Sequence, residues 1–174
     1  MSESNDSNRV VRVIIRATPQ GLSRIELEPW PEQEFSCSGG VVYKVGVTFQ
    51  GDLTLHKMLR EDLKAYFSGQ PVDLLKYPVD WQGMSPFGRK VLDLARSIPW
   101  GETQSYGWLS ARLKLKGGAR AVGGALGRNP VPIVIPCHRV LRKDGQMGGF
   151  SAGIQWKRFL LNIEGKAPVR TLIG

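Results

Sequence analysis

Val134-Ile135-Pro136-Cys137-His138-Arg139-Val140 is the stretch on which the reading of this 174-residue chain turns. An apolar run ends at a proline, and a cysteine and a histidine follow side by side. Proline fixes its own φ and has no N–H to donate, so a strand-like run stops there. A tight turn is expected next, at the edge of the apolar interior, where a thiol is sheltered but reachable. A thiol becomes a good nucleophile when it loses its proton, and an imidazole nearby can take that proton. The bland alternative is a buried cysteine acting as a small hydrophobe.

Working outward, the residues before this turn read as short helices. Ser85-Pro86 is a helix start, serine as N-cap and proline at the first helical position. Phe87, Val91, Leu94, Ala95 and Ile98 recur at helical spacing until Pro99. A second helix is expected near 105–113 and a third from Ala119 to about Arg128, with a break at Lys116-Gly117-Gly118 between them. Two short helices joined by a glycine turn are a helix-turn-helix signature. The third helix holds Gly123, Gly124 and Gly127, poor helix formers that fit a face approached closely by another backbone. Asn129-Pro130 ends it. After Val140, Asp144-Gly145 signals a hairpin with Arg142 and Lys143 at its tip, a wing aimed at phosphates. The last helix turns Trp156, Phe159, Leu160 and Ile163 inward and closes at Glu164-Gly165.

The first half reads differently. Val10–Ala17 is a β-branched strand, Thr18-Pro19-Gln20-Gly21 a turn, and Leu22, Ile25 and Leu27 a return strand. Residues 28–40 are expected to be loop, with Cys37 an incidental free thiol. Val41, Tyr43, Val45, Val47 and Phe49 alternate as in a strand. Leu55, Leu59, Leu63, Tyr66 and Phe67 then follow a helical period, and His56, off that stripe, is expected to be solvated. No catalytic cluster is visible in this half. The organisation is therefore α+β: a disordered tail over 1–9, a sheet-plus-helix domain over 10–69, a linker over 70–84, a mostly helical winged helix-turn-helix domain over 85–165, and a tail over 166–174.

Charge divides along the same line. From Ser85 onward there are fifteen Lys/Arg against four acidic residues, whereas residues 1–84 carry nine against eleven. A polyanion partner for the second half is implied, or else a merely solvated basic surface. No apolar run approaches the roughly 20 residues of a membrane span. With His56, His138, Cys37 and Cys137 as the only histidines and cysteines, no zinc site of usual spacing is visible. The polar start lacks an apolar h-region, so a non-secreted, cytoplasmic protein is expected, nuclear if the source has a nucleus.

The combination Arg120-Ala121-Val122-Gly123-Gly124-Ala125, Asn129-Pro130, Pro136-Cys137-His138-Arg139-Val140, Gly148-Gly149-Phe150-Ser151, Lys157, Leu160-Leu161 and Glu164-Gly165 resembles the O6-alkylguanine-DNA alkyltransferase family over about half the chain. The resemblance implies an RNase H-like first domain and a direct-repair protein. Such a protein flips O6-alkylguanine, chiefly O6-methylguanine and in some cases O4-methylthymine, out of double-stranded DNA. It transfers the alkyl group irreversibly to its own cysteine, once, without a cofactor, as a monomer needing no protein partner. Carried over by position, Cys137 is the acceptor and His138 the base acting through a water. Glu164 orients that histidine, and Asn129 braces the turn after the recognition helix. Arg120 fills the stack, Tyr106 assists flipping and donates to the base, and Lys157 polarises the site. Gly123 lets the helix approach DNA, while Arg142 and Lys143 contact phosphates. Pro132, Val140, Phe150 and Ser151 line the guanine pocket, with Phe150 standing where the family commonly has tyrosine.

The chemistry suits these residue types. An alkyl group on an ether-like oxygen calls for a soft anionic nucleophile, the departing guanine for a hydrogen-bond donor, and a target inside the stack for base flipping. Two other classes stay open on sequence alone: a winged-helix DNA-binding protein without chemistry, and a cysteine hydrolase built on Cys137 and His138.

Overall fold

The computed structural model describes residues 10–28, 44–51 and 55–165. The expected tails, the loop over 29–40 with Cys37, and Val41 and Tyr43 of the third strand lie outside the described residues.

Strands β1 (Val10–Thr18) and β2 (Gly21–Leu27) form an antiparallel hairpin, and β3 (Lys44–Gly51) runs parallel to β1 on its other side. Val13, Ile15 and Ala17 alternate into the core while Arg12 and Arg16 face solvent. Leu22 and Ile25 are three apart, which a regular strand would split between faces. A register shift between Arg16 and Ala17 takes up the odd residue, so both point inward. Helix α1 (His56–Phe67) buries Leu59, Leu63 and Tyr66. His56 is also buried, its ring centroid 4.6 Å from that of Phe49. The expectation of a solvated His56 is therefore corrected: spacing of three and then seven to Leu59 and Leu63 puts it on the inward stripe, one turn ahead of them.

The segment after α1 is stitched to both halves. Leu22 donates its N–H to Pro78 O at 2.9 Å and accepts from Asp80 N at 2.9 Å. A Cβ on Gly21, whose φ is +137°, would meet Pro78 O at 2.5 Å, so only glycine fits there. From the other side, Arg96 donates to the carbonyls of Leu75 and Tyr77 at 2.8 and 2.6 Å.

Helix α2 (Pro86–Arg96) starts as expected, Ser85 Oγ accepting from Gly88 N. Helix α3 (Tyr106–Arg112) is capped by Ser105 in the same way, and α4 (Ala119–Leu126) follows a turn in which Lys114 and Gly117 take positive φ. Strands β4 (Gln104–Ser105) and β5 (Val140–Leu141) pair in parallel. The turn expected at Asp144-Gly145 closes, Arg142 N–H donating to Gln146 O at 2.9 Å and Gly145 N–H to Arg142 O at 3.0 Å, and no strand follows it among the described residues. Helix α5 (Ile154–Ile163) closes the fold. Buried residues of the sheet, α1, α2, α4, the cysteine turn and α5 form one continuous core, and Ile25 N–H donates to Pro130 O at 2.8 Å across it.

Candidate active site

Cys137 opens a single 3-10 turn, Cys137–Arg139, directly after Pro136. Its side chain is 6% exposed. Asn129, three residues past α4, holds the turn from the side. Its Oδ1 accepts from Val131 N at 3.0 Å, and its Nδ2 donates to Ile135 O at 2.8 Å and to Cys137 Sγ at 3.1 Å. One amide thus fixes the sulfur relative to the end of α4. Between them, Ile133 sits at φ +74°, a conformation that costs a β-branched residue on the order of 1–3 kcal/mol and persists because its neighbours hold it.

His138 points away from the cleft into the interior, fully buried. Its Nε2 lies 2.9 Å from Oε1 of Glu164, the residue that ends α5. Arg139 grips the same carboxylate with Nε to Oε2 at 2.9 Å and Nη2 to Oε1 at 2.8 Å. Tyr66 of α1 donates its hydroxyl to Oε1 at 2.7 Å. Burial alone would raise the Glu164 carboxyl, but hydrogen bonds and charge from His138 and Arg139 reverse this and hold it at about 2. An ionised carboxylate only accepts, so Nε2 carries the imidazole proton. Nδ1 is left as a bare lone pair, and it is buried without a hydrogen-bond partner among the described residues.

The thiol and the imidazole rest uncharged. Burial pushes the Cys137 thiol up, against the Asn129 hydrogen bond and the Lys157 charge. Burial also holds His138 below its ordinary value, more strongly than Glu164 raises it. Lys157 is 0% exposed on α5, and burial lowers it to about 8, although a Cys137 thiolate would raise it. Its Nζ donates to Val140 O at 2.6 Å.

Above the sulfur is a cleft of about 790 Å³. Tyr106, Arg120, Gly123, Cys137, Arg142, Phe150 and Ser151 line it. Pro132 and Val140 are buried and are not among its lining residues, and Lys143 lies exposed on the turn beside Arg142. Asn129, His138, Lys157 and Glu164 sit beneath the cleft floor as supports for it. The glycines of α4 are not demanded by the protein's own packing: a Cβ on Gly123 would find its nearest atom, in Tyr106, at 3.7 Å, and one on Gly124 its nearest at 3.9 Å.

Three participants were not singled out in the sequence. Tyr66 comes from the first half, in which no catalytic cluster is visible, and reaches the site only through its hydroxyl on Glu164. Arg139 stood inside the motif without a role. Gly148 presses on Tyr106, and a Cβ there would overlap the phenol.

Residues 86–166 match the family model of the DNA-binding domain of 6-O-methylguanine DNA methyltransferase. A methylated-DNA–protein-cysteine methyltransferase of Methanopyrus kandleri is 46% identical over 121 residues, which cover 70% of this chain and 88% of that protein. The chain belongs to the methylated-DNA–protein-cysteine methyltransferase family. A DNA base-flipping protein of Thermus thermophilus is 36% identical over 148 residues, 85% of this chain and 96% of that one. Among solved structures of this family, Mycobacterium tuberculosis OGT in complex with DNA superposes with a TM-score of 0.66 at 29% identity, covering 91% of this chain and 95% of that one. Within this chain the Trp156 indole N–H donates to Glu28 O at 2.7 Å, joining the two halves.

Proposed function

We propose that this protein repairs DNA by flipping O6-alkylguanine out of the duplex and transferring the alkyl group to Cys137, once per molecule. The observation that carries this reading is the placement of a buried, Asn129-braced sulfur at the floor of a basic cleft under a glycine-bearing helix. A buried imidazole with a free Nδ1 lone pair stands next to it in the chain.

The thiol proton passes to His138 Nδ1, with a single water as carrier, because the two side chains make no direct hydrogen bond. Glu164 and Arg139 keep the imidazole in the tautomer that can accept it. The S–C bond forms as the C–O6 bond breaks, and the electron pair leaves on guanine. Tyr106 at the cleft wall donates a hydrogen bond to the departing base, and the Lys157 ammonium lowers the cost of negative charge near the sulfur. Water does not cleave the resulting thioether, so the protein is consumed. Arg120 enters the stack and offsets part of the flipping cost. Residues 85–165 serve as the DNA-binding and acceptor unit, with Arg142 and Lys143 on phosphates, and the protein works where DNA is held, in the cytoplasm, or in the nucleus if the source has one.

Flipping without transfer is the second reading, favoured by the Thermus relative's name. A sulfur tied to Asn129 beside a locked imidazole has no use in it. Intact-mass measurement after mixing with O6-methylguanine duplex decides between the two. One methyl per molecule, absent in Cys137→Ser, is expected. Unchanged mass with tight DNA binding would leave only the flipping reading.

A further inference from the structure

The sulfur, imidazole and carboxylate come from the second half of the chain, yet the carboxylate has a fourth partner from the first. Tyr66 is fully buried on α1, its ring edge-on to Trp100 at 5.0 Å and to Phe67 at 5.4 Å. Packing of this kind holds the ring without any help from its hydroxyl. The hydroxyl nevertheless reaches Glu164 Oε1 at 2.7 Å and stands 3.4 Å from His138 Nε2. We propose that Tyr66 is a positioning residue of the transfer reaction, setting through Glu164 how strongly His138 takes and keeps the thiol proton.

The argument is one of shared charge. Oε1 accepts from three donors, His138 Nε2, Tyr66 and Arg139 Nη2, while Oε2 accepts from Arg139 Nε. Each added donor draws carboxylate charge toward itself and leaves less for the imidazolium that forms when His138 is protonated. The tyrosine therefore weakens the Glu164–His138 couple. Its oxygen has a second, opposing effect, since a lone pair near Nε2 favours an imidazolium. At 3.4 Å that contact is outside good hydrogen-bond range, whereas 2.7 Å to an ionised oxygen is a strong bond, so the first effect wins. The other charged or titratable groups facing His138 are Arg139 on its own turn, Lys157 from α5, Glu164 at the end of α5, and Cys137 beside it. Tyr66 is the α1 contribution to this set. A base too strongly paired with Glu164 would already hold a proton while the thiol still keeps its own, and would be useless as an acceptor. A tempered couple leaves it neutral and ready.

The inference rests on the alkyl-transfer reading for its meaning, but its test does not. The variant is Tyr66→Phe in the full chain, which keeps the ring and removes the hydroxyl. Nitrogen-15 NMR of the His138 ring is followed from about pH 4 to 9, a span that brackets imidazole titration. The expected result is that the midpoint of His138 protonation moves up by about half a unit or more, as losing one donor on a shared carboxylate implies. The acid limb of the single-turnover rate against pH moves the same way. Tyr66→Leu also lacks the hydroxyl and should show the same displacement together with lost thermal stability, which separates hydroxyl from packing. An unchanged or lowered midpoint in Tyr66→Phe, including a ring that stays neutral in both proteins throughout the range, overturns the proposal. Failure of wild-type protein to accept a methyl would instead overturn the transfer reading and leave the titration result standing.

Discussion

At Glu164 four hydrogen bonds converge on one buried carboxylate, and its protonation state sets the charge of everything around it. Its folded value of about 2 lies below the ordinary carboxylate range, so ionised Glu164 stabilises the fold at neutral pH. That contribution is complete above about pH 4.5 and is lost as pH falls toward 2, where the folded protein too must protonate it. Glu164→Gln removes the loss along with the contribution. Since it strands Arg139 as a buried unpaired cation, it should cost about 3–5 kcal/mol at pH 7. Urea denaturation of both proteins at neutral pH and near pH 3 checks this: the gap between them should narrow in acid. A gap that is constant with pH would mean that Glu164 acts through shape alone. Lys157 titrates in the other direction of burial. Its ammonium, lowered to about 8, is half lost near that pH, so transfer should slow above it, and Lys157→Met should flatten the alkaline limb of the rate profile.

On the scale of elements, α4 and the turn after β5 meet DNA in different ways. Arg120 opens α4 inside the cleft, and Lys143 lies exposed on the turn. Arg120→Ala should slow transfer from duplex far more than transfer from the free modified base, while Lys143→Ala lowers affinity for any DNA and leaves the free-base rate alone. Equal slowing of Arg120→Ala on both substrates would mean that Arg120 supports the pocket. Gly148→Ala, measured in the same two assays, should slow both, because the added methyl overlaps Tyr106 and displaces the donor itself. How much of this could be read beforehand follows the kind of signal each element carries. Helix α2 was readable from Ser85-Pro86, and the cysteine turn from Pro136, because local chemistry dictates both. The turn at Asp144-Gly145 was readable for the same reason, although Gly148-Gly149 continues it without a second strand among the described residues. Tyr66, in contrast, was hidden. A tyrosine on an apolar helical stripe is indistinguishable from core until its hydroxyl is seen to end on Glu164. His56 falls on the inward stripe when the stripe is started at residue 56, and off it when started at Leu55.

Across the whole molecule, charge and core pull in opposite senses. Charge is divided, with the excess of Lys/Arg confined to residues after Ser85. DNA affinity should therefore fall steeply with salt, by a slope that charge-neutral substitutions in the first half leave unchanged. Titration of duplex binding at several salt concentrations measures this, and a slope near zero would dissociate the basic surface from binding. The core, in contrast, is undivided. Ile25 bonds Pro130, Glu28 bonds Trp156, and Tyr66 bonds Glu164. The last of these has a consequence for how such chemistry can be transplanted. A helix-turn-helix that only grips DNA can be grafted onto another chain as a cassette. An alkyl acceptor whose buried carboxylate is completed by a distant helix leaves that partner behind when it is moved alone. On the role proposed for Tyr66, an engineered fusion that carries the cysteine turn elsewhere has to bring a tyrosine on a matching helix with it, or work with a differently tuned base.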